Sequence, residues 1–403
     1  MLRLRALRVA AALAAVVAVA VAAAALLGGC GSKYDLPTEL RITTIPPEKS
    51  YATRAIWTGM DRVRDILLTQ KFGSQLFVCF EKPTPDTTSS GDVYLFPLTR
   101  GQPILSTRFL HLFNPVALAA GGDGTGAPLN RVFVLDQGDT CVARRNPISG
   151  GCAAADTVGG WTHGVSDLRH YWRVGVYGLL GGDTISTFTD TTVAWVDGIA
   201  ADDRGRVYVA CQAIILEPNP FDPNIKTRQH QSRIYRYIPG PRWPGNPYDH
   251  LRLPGANWHR DSLWQVVEGT GVGSVQGPRG LDWITSPTSA LYCADYEKNW
   301  VQKLNDTQPG VDEFALDGVE TGTFLFQAPD VAADEQGFIY ICDTGNKRVL
   351  RYGPDKTFIQ RVDTPGLSDP GKLVRPVAVA ANDTLVFIAD PGAARIYKML
   401  RLQ

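Results

Sequence analysis

Residues 327–352 read QAPDVAADEQGFIYICDTGNKRVLRY, and three short strands with the turns between them are written into that run. Ala328 to Asp334 enters as an extended segment, and Glu335-Gln336-Gly337 turns it. Phe338-Ile339-Tyr340-Ile341-Cys342 is apolar without alternation, the pattern of a strand covered on both faces. Asp343-Thr344-Gly345-Asn346 is a second turn, and Lys347 to Tyr352 is a third, mixed strand.

Most of the chain consists of imperfect copies of this unit. The first runs from Val63 to Thr69, then Gln75 to Phe80, then Asp92 to Phe96. The second is Asn114 to Leu118, Arg131 to Asp136 and, after an insertion, Trp172 to Tyr177. The third is Val196 to Asp202, Arg206 to Cys211 and Arg233 to Tyr237, with insertions at Gln212 to Ser232 and Ile238 to Ser262. The fourth is Pro278 to Trp283, Ala290 to Asp295 and Trp300 to Leu304, and the opening stretch is the fifth. The sixth is Arg375 to Ala380, Thr384 to Asp390 and Arg395 to Met399. Units recur about every 50 residues, or about every 80 where insertions intervene, as in a repeat architecture. Forty glycines and 27 prolines suit many short strands and turns, and no long amphipathic helical pattern follows the N-terminus. The expected class is all-β.

Two runs carry a family likeness. Asp343-Thr344-Gly345-Asn346-Lys347-Arg348-Val349 and Pro278-Arg279-Gly280-Leu281 resemble the NHL-repeat family, over roughly residues 51–403. The resemblance implies a β-propeller of four-stranded antiparallel blades, most often six, and six units are present here. The sixth unit ends after its third strand. Tyr51 to Trp57 is therefore expected to supply the missing outer strand and close the ring, removing an edge that would recruit foreign strands.

At the N-terminus, Arg3, Arg5 and Arg8 precede an Ala/Val/Leu run from Val9 to Leu27. Leu27-Gly28-Gly29-Cys30 ends it with small residues before a cysteine, as a cleaved signal does, and resembles the lipobox of bacterial lipoproteins. That likeness implies a signal peptide over 1–29, lipidation of Cys30, a tether over 30–50 and a propeller domain over 51–403. With Gly31 after the cysteine it further implies an outer-membrane address; the alternative is an uncleaved signal anchor with Cys30 incidental. In an oxidising envelope Cys141 and Cys152, flanking one loop, are expected to form a local disulfide. Cys79, Cys211, Cys293 and Cys342 lie in apolar strands and read as small buried hydrophobes.

Forty basic residues balance forty acidic ones, so no global field draws the protein to nucleic acid. Strand order places Arg64, Asn114, Asp197, Arg279, Asp330 and Arg375 around one mouth of the channel, a ring of mixed charge suited to a polar ligand or a peptide. The alternative is that these residues cap turns and pair between blades. Asp136, Asp295, Asp343 and Asp390 end equivalent strands and read as turn chemistry rather than metal ligands. The insertion from Gln212 to Ser232 belongs to the mouth face and is a candidate lid. The other, with Trp243, Trp258, His259 and Trp264, offers either an exposed aromatic platform or a loop packed on the blades. The six histidines show no H-E-x-x-H spacing, and no G-x-S-x-G, P-loop or G-x-G-x-x-G occurs, so no metal or cofactor is assigned. The leading expectation is a monomeric, lipid-anchored module that binds a protein, peptide or glycan. The rival is a propeller lyase or hydrolase acting on a small polar substrate at the mouth.

Overall fold

The computed structural model describes residues 51–69, 74–82, 91–110, 112, 114–122, 131–139, 170–190, 192–219, 222–240, 258–285, 289–307, 312–318, 324–362 and 372–401. Cys30, Cys141 and Cys152 lie outside them.

The chain forms a six-bladed β-propeller. An N-terminal strand, β1 (Tyr51–Thr58), belongs to the last blade. Blade one is β2 (Val63–Thr69), β3 (Gln75–Glu81) and β4 (Gly91–Phe96). Blade two is β5 (Pro115–Gly121), β6 (Arg131–Asp139), β7 (His170–Gly178) and β8 (Ser186–Phe188). Blade three is β9 (Val193–Ala201), β10 (Val207–Asn219), β11 (Asp222–Pro239) and β12 (Trp258–Val266). Blade four is β13 (Pro278–Ile284), β14 (Ala290–Asp295), β15 (Trp300–Asn305) and β16 (Asp312–Leu316). Blade five is β17 (Asp330–Ala333), β18 (Ile339–Asp343), β19 (Arg348–Tyr352) and β20 (Phe358–Val362). Blade six is β21 (Ala378–Ala381), β22 (Leu385–Asp390) and β23 (Arg395–Arg401), finished by β1. All ladders within the blades are antiparallel. The innermost strands pack in sequence, β2 on β5, β5 on β9, β9 on β13, β13 on β17, β17 on β21 and β21 back on β2, so the ring is closed.

Blade one departs from the expected four strands. Its sheet has three, and the outer position is filled by irregular chain: Ile104 N–H donates to Leu95 O (2.9 Å) and Phe109 N–H to Val93 O (3.1 Å) around a short 3₁₀ turn at Leu105–Thr107. Pro103, with no N–H to give a ladder, stands at the start of this segment.

Hydrophobic clusters sit between blades, one at each boundary among the described residues. This explains the unalternating second strands. In β18, Ile339 and Ile341 face blade four while Tyr340 and Cys342 face blade six, so every side chain meets a neighbouring sheet. Full burial of each aliphatic side chain contributes about 1.5–3 kcal/mol. The hairpin turns after the inner strands repeat too. Asp334 accepts the amides of Gln336 (3.0 Å) and Phe338 (2.9 Å), and Asp202 those of Arg204 (2.9 Å) and Arg206 (2.8 Å). Gly337 (φ 83°) and Gly205 (φ 78°) supply the left-handed residue each turn requires.

β1 closes the ring. It pairs with β23 from Tyr51↔Arg401 to Thr58↔Arg395, with one irregularity between Thr53 and Ala55. Trp57 inserts between blades six and one, its ring 5.6 Å from Phe387 and 6.0 Å from Phe96. Met60 N–H then donates to Ala394 O (3.0 Å), and Lys398 Nζ reaches across to Leu98 O (2.7 Å).

Gln212 to Ser232 belongs to a long hairpin: β10 and β11 stay paired from Gln212↔Ser232 to Asn219↔Asp222, and among the described residues none of it lines the central cavity. Of the tryptophans expected to form an aromatic platform, Trp258 and Trp264 are buried, and Trp243 lies outside the described residues. Trp264 lies edge-on to Tyr208 (4.9 Å) with the Arg236 guanidinium over its ring (5.2 Å). It seals the boundary between blades three and four.

Candidate functional site at the channel mouth

The inner strands enclose a cavity of about 620 Å³ along the propeller axis. One face of the ring is defined by the segments that lead into those strands, and the four strand-ending aspartates hold them. Asp136 accepts the Asn114 amide (2.6 Å), and Asp295 accepts Gln276 and Gly277 (2.9 Å each). Asp343 accepts Phe326 (2.8 Å), and Asp390 accepts Val374 (2.7 Å) and Arg375 (2.9 Å). Burial pushes the Asp295 and Asp343 carboxyls up, against the pull of these amides. The repeat thus fixes the backbone on which the rim side chains are mounted.

Of the six residues expected at the mouth, Arg64, Asp197, Arg279 and Asp330 line the cavity. Asn114 stands just outside it, its Oδ1 accepting from Arg64 Nη1, while Arg64 Nη2 lies 3.3 Å from Glu81. Both therefore serve the boundary between blades one and two. Arg375 is exposed at the entry to blade six, and its Cβ rests on Gly392.

The corner between blades three and four is built differently. Trp195, 37% exposed, donates its indole N–H to Asp197 Oδ1 (2.9 Å). Burial raises the Asp197 carboxyl, which the Trp195 hydrogen bond and the nearby Arg279 guanidinium partly offset. Arg279 is exposed, with its guanidinium 3.7 Å from the centre of the Tyr296 ring. Gly198 explains the closeness of the two blades: a Cβ there would stand 1.5 Å from Arg279 O. Gly198→Val should therefore lower the denaturant midpoint by an amount equivalent to about 2–4 kcal/mol, by forcing β9 and β13 apart. A midpoint within error of wild type would show that the strands yield without cost.

Sequence reasoning missed Asp65 and Asp282, which point into the same channel. Asp65 accepts Ile66 N–H (2.8 Å) and, from blade two, Leu118 N–H (2.7 Å). Asp282 accepts Trp283 N–H (2.9 Å) and, from blade five, Ala333 N–H (2.7 Å). Asp330 likewise reaches Val379 N–H of blade six (2.8 Å). Inner strands of neighbouring blades share no ladder, so these carboxylates staple them across three boundaries. Burial outweighs the amides: it pushes Asp65 and Asp282 up to about 7, and Asp330 well above the usual carboxylate range with help from the Asp65 charge. The available signal was an acid inside an otherwise apolar inner strand, as in Asp65-Ile66-Leu67-Leu68 and Leu281-Asp282-Trp283.

Among the described residues no group of three His, Cys, Asp or Glu side chains is placed to hold a metal ion. His259 and His230 do not line the cavity. Cys79, Cys211, Cys293 and Cys342 are buried free thiols, each raised well above the usual range by burial, and so are poor nucleophiles.

No family model matches the sequence, and no curated protein does. Similar solved structures include selenomethionine-substituted virginiamycin B lyase from Staphylococcus aureus, at 10% identity and a TM-score of 0.43, covering 87% of this chain and 99% of that one. A catalytically inactive variant of that lyase with quinupristin gives 10% identity, a TM-score of 0.45 and the same coverage. The PQQ-bound aldose sugar dehydrogenase from Streptomyces coelicolor gives 12% identity and a TM-score of 0.43, covering 89% of this chain and 99% of that one.

Proposed function

We propose that this chain is a lipid-anchored, NHL-type propeller of the bacterial envelope that binds a protein or peptide at the channel mouth. The observation that carries the reading is the composition of the rim. Arg279 is held on Tyr296 and Trp195 on Asp197, while Val272, Phe326 and Val374 are exposed on the segments entering blades four, five and six. Exposed aromatic and arginine side chains on a rigid frame, with apolar neighbours, are the make-up of a binding surface. The N-terminal run ending at Cys30 supports the anchor and the address. A polar substrate turned over in the channel is the second reading. It draws on Asp65 and Asp282, whose raised carboxyls suit proton transfer near neutral pH.

The test uses exposed rim residues, which leave the staples intact. The full-length protein carrying Arg279→Ala, Phe326→Ser and Arg375→Ala is expected to lose capture of its partner from envelope extract while melting within a few degrees of wild type. Undiminished capture would remove the mouth as the interaction surface.

A further inference from the structure

Resting on that reading, we infer that the corner formed by Trp195, Asp197, Arg279 and Tyr296 is an anchor for a peptide C-terminus, with the chain-end carboxylate on Arg279 and the last side chain against Trp195.

The argument starts from Arg279. Its guanidinium carbon lies 3.7 Å from the centre of the Tyr296 ring, so the ring covers it on one side. Among the described residues it makes no ion pair within 4.0 Å, whereas Arg64, the other cavity-lining arginine, is engaged by Asn114 and Glu81. An exposed guanidinium covered on one side by an aromatic ring, and without a carboxylate partner among the described residues, can take the two oxygens of a carboxylate. The stacking restricts the side chain before any ligand arrives, so little rotamer freedom remains to be lost on binding.

The neighbourhood selects the kind of anion. Asp197 lies beside Arg279, and Asp65, Asp282 and Asp330 line the channel below it. A dianion such as a phosphate ester would meet Arg279 as the one cavity-lining arginine without an ion pair among the described residues, while a monoanionic carboxylate is matched by that single charge. The second feature is Trp195. Its N–H is committed to Asp197, which fixes the ring while leaving it 37% exposed. Gly198 brings β9 against β13, so the indole of one blade and the guanidinium of the next belong to one surface. A carboxylate attached to a carbon bearing an apolar side chain is the end of a polypeptide. An acidic sugar would present hydroxyls instead, and Trp195 has no remaining donor for them.

The probe is N-acetyl-L-phenylalanine, compared with its primary amide, titrated calorimetrically into the full-length protein in detergent. The acid should bind saturably in the millimolar range and the amide about tenfold more weakly, as expected for loss of a charge-assisted pair. Arg279→Gln should lose about tenfold for the acid and leave the amide unchanged, and Trp195→Ala should weaken both, with melting temperatures near wild type. Equal binding of acid and amide, an unaltered Arg279→Gln variant, or no saturable binding of the acid at about 10 mM would overturn the inference. So would methyl glucuronide binding at least as tightly as the acid through Arg279, which would make the ligand a sugar acid. Partner capture lost in the rim variant, but not competed by N-acetyl-L-phenylalanine, would overturn the chain-end anchor and leave the mouth as the binding surface.

Discussion

The protein should be more stable to heat at pH 5 than at pH 8, and Asp65→Asn with Asp282→Asn should raise the melting temperature at pH 8 and narrow that difference. Both carboxyls are buried in the channel, and burial is the larger influence that pushes them up from 3.8 to about 7. In the unfolded chain they ionise near 3.8, so between about pH 4 and pH 7 the folded protein holds protons that the unfolded chain has released. Stability therefore falls as pH rises through that window and levels off above it. Each group contributes on the order of 2–3 kcal/mol between pH 5 and pH 8, a total equivalent to several degrees in the melting temperature. Asp330 adds in the same direction. His259 acts oppositely: burial lowers it, so the unfolded chain takes up its proton first as pH falls and that contribution to stability is lost on the acid side. Asparagine keeps a carbonyl that can accept Leu118 N–H or Ala333 N–H, so the staples survive while the ionisation is removed. Calorimetric melts at pH 5, 6.5 and 8 provide the check. A melting temperature that does not fall from pH 5 to pH 8 would refute the expectation.

Removal of residues 51–58 should abolish the cooperative unfolding transition. Without β1, the backbone of β23 loses its ladder partner along its whole outer edge. The cluster between blades six and one loses Trp57, which fills the space between Phe96 and Phe387. Trp57→Ala isolates the packing contribution and should cost about 3–5 kcal/mol in chemical denaturation. The ring amplifies the damage, since an open β23 edge is also a template for association between molecules. A truncated protein that melts as wild type would show that the ring closes without β1.

Six units, the three inner strands of each and the closure by Tyr51 to Trp57 were legible in the chain, because each depends on local pattern. Turn residues stand at fixed offsets, second strands are apolar on both faces, and the last unit is one strand short. Blade one resisted the pattern because its outer chain bonds to β4 only at scattered points around a 3₁₀ turn. The insertion from Gln212 to Ser232 was divided from its strands by expected repeat length, whereas the ladder of β10 and β11 simply continues through it. Trp258 is buried against Phe188 of blade two and Trp264 against Tyr208 of its own blade, partners more than 50 residues away in sequence.

The chain by itself determined the all-β class, the six-fold repeat and the role of Asp343 and its counterparts, whose hydrogen bonds tie each strand end to a segment of the same repeat. Tertiary structure alone decided which polar residues share the channel. Asp65, Asp282 and Asp330 bond to amides 53, 51 and 49 residues away, on the next blade, and their protonation follows from burial that no single repeat provides. It also separated the two cavity-lining arginines: Arg64 is drawn into the boundary between blades one and two, while Arg279 stands exposed against Tyr296. A repeat sequence specifies a blade, but ring closure sets the distances between blades, and those distances determine which charges are paired and which are left exposed.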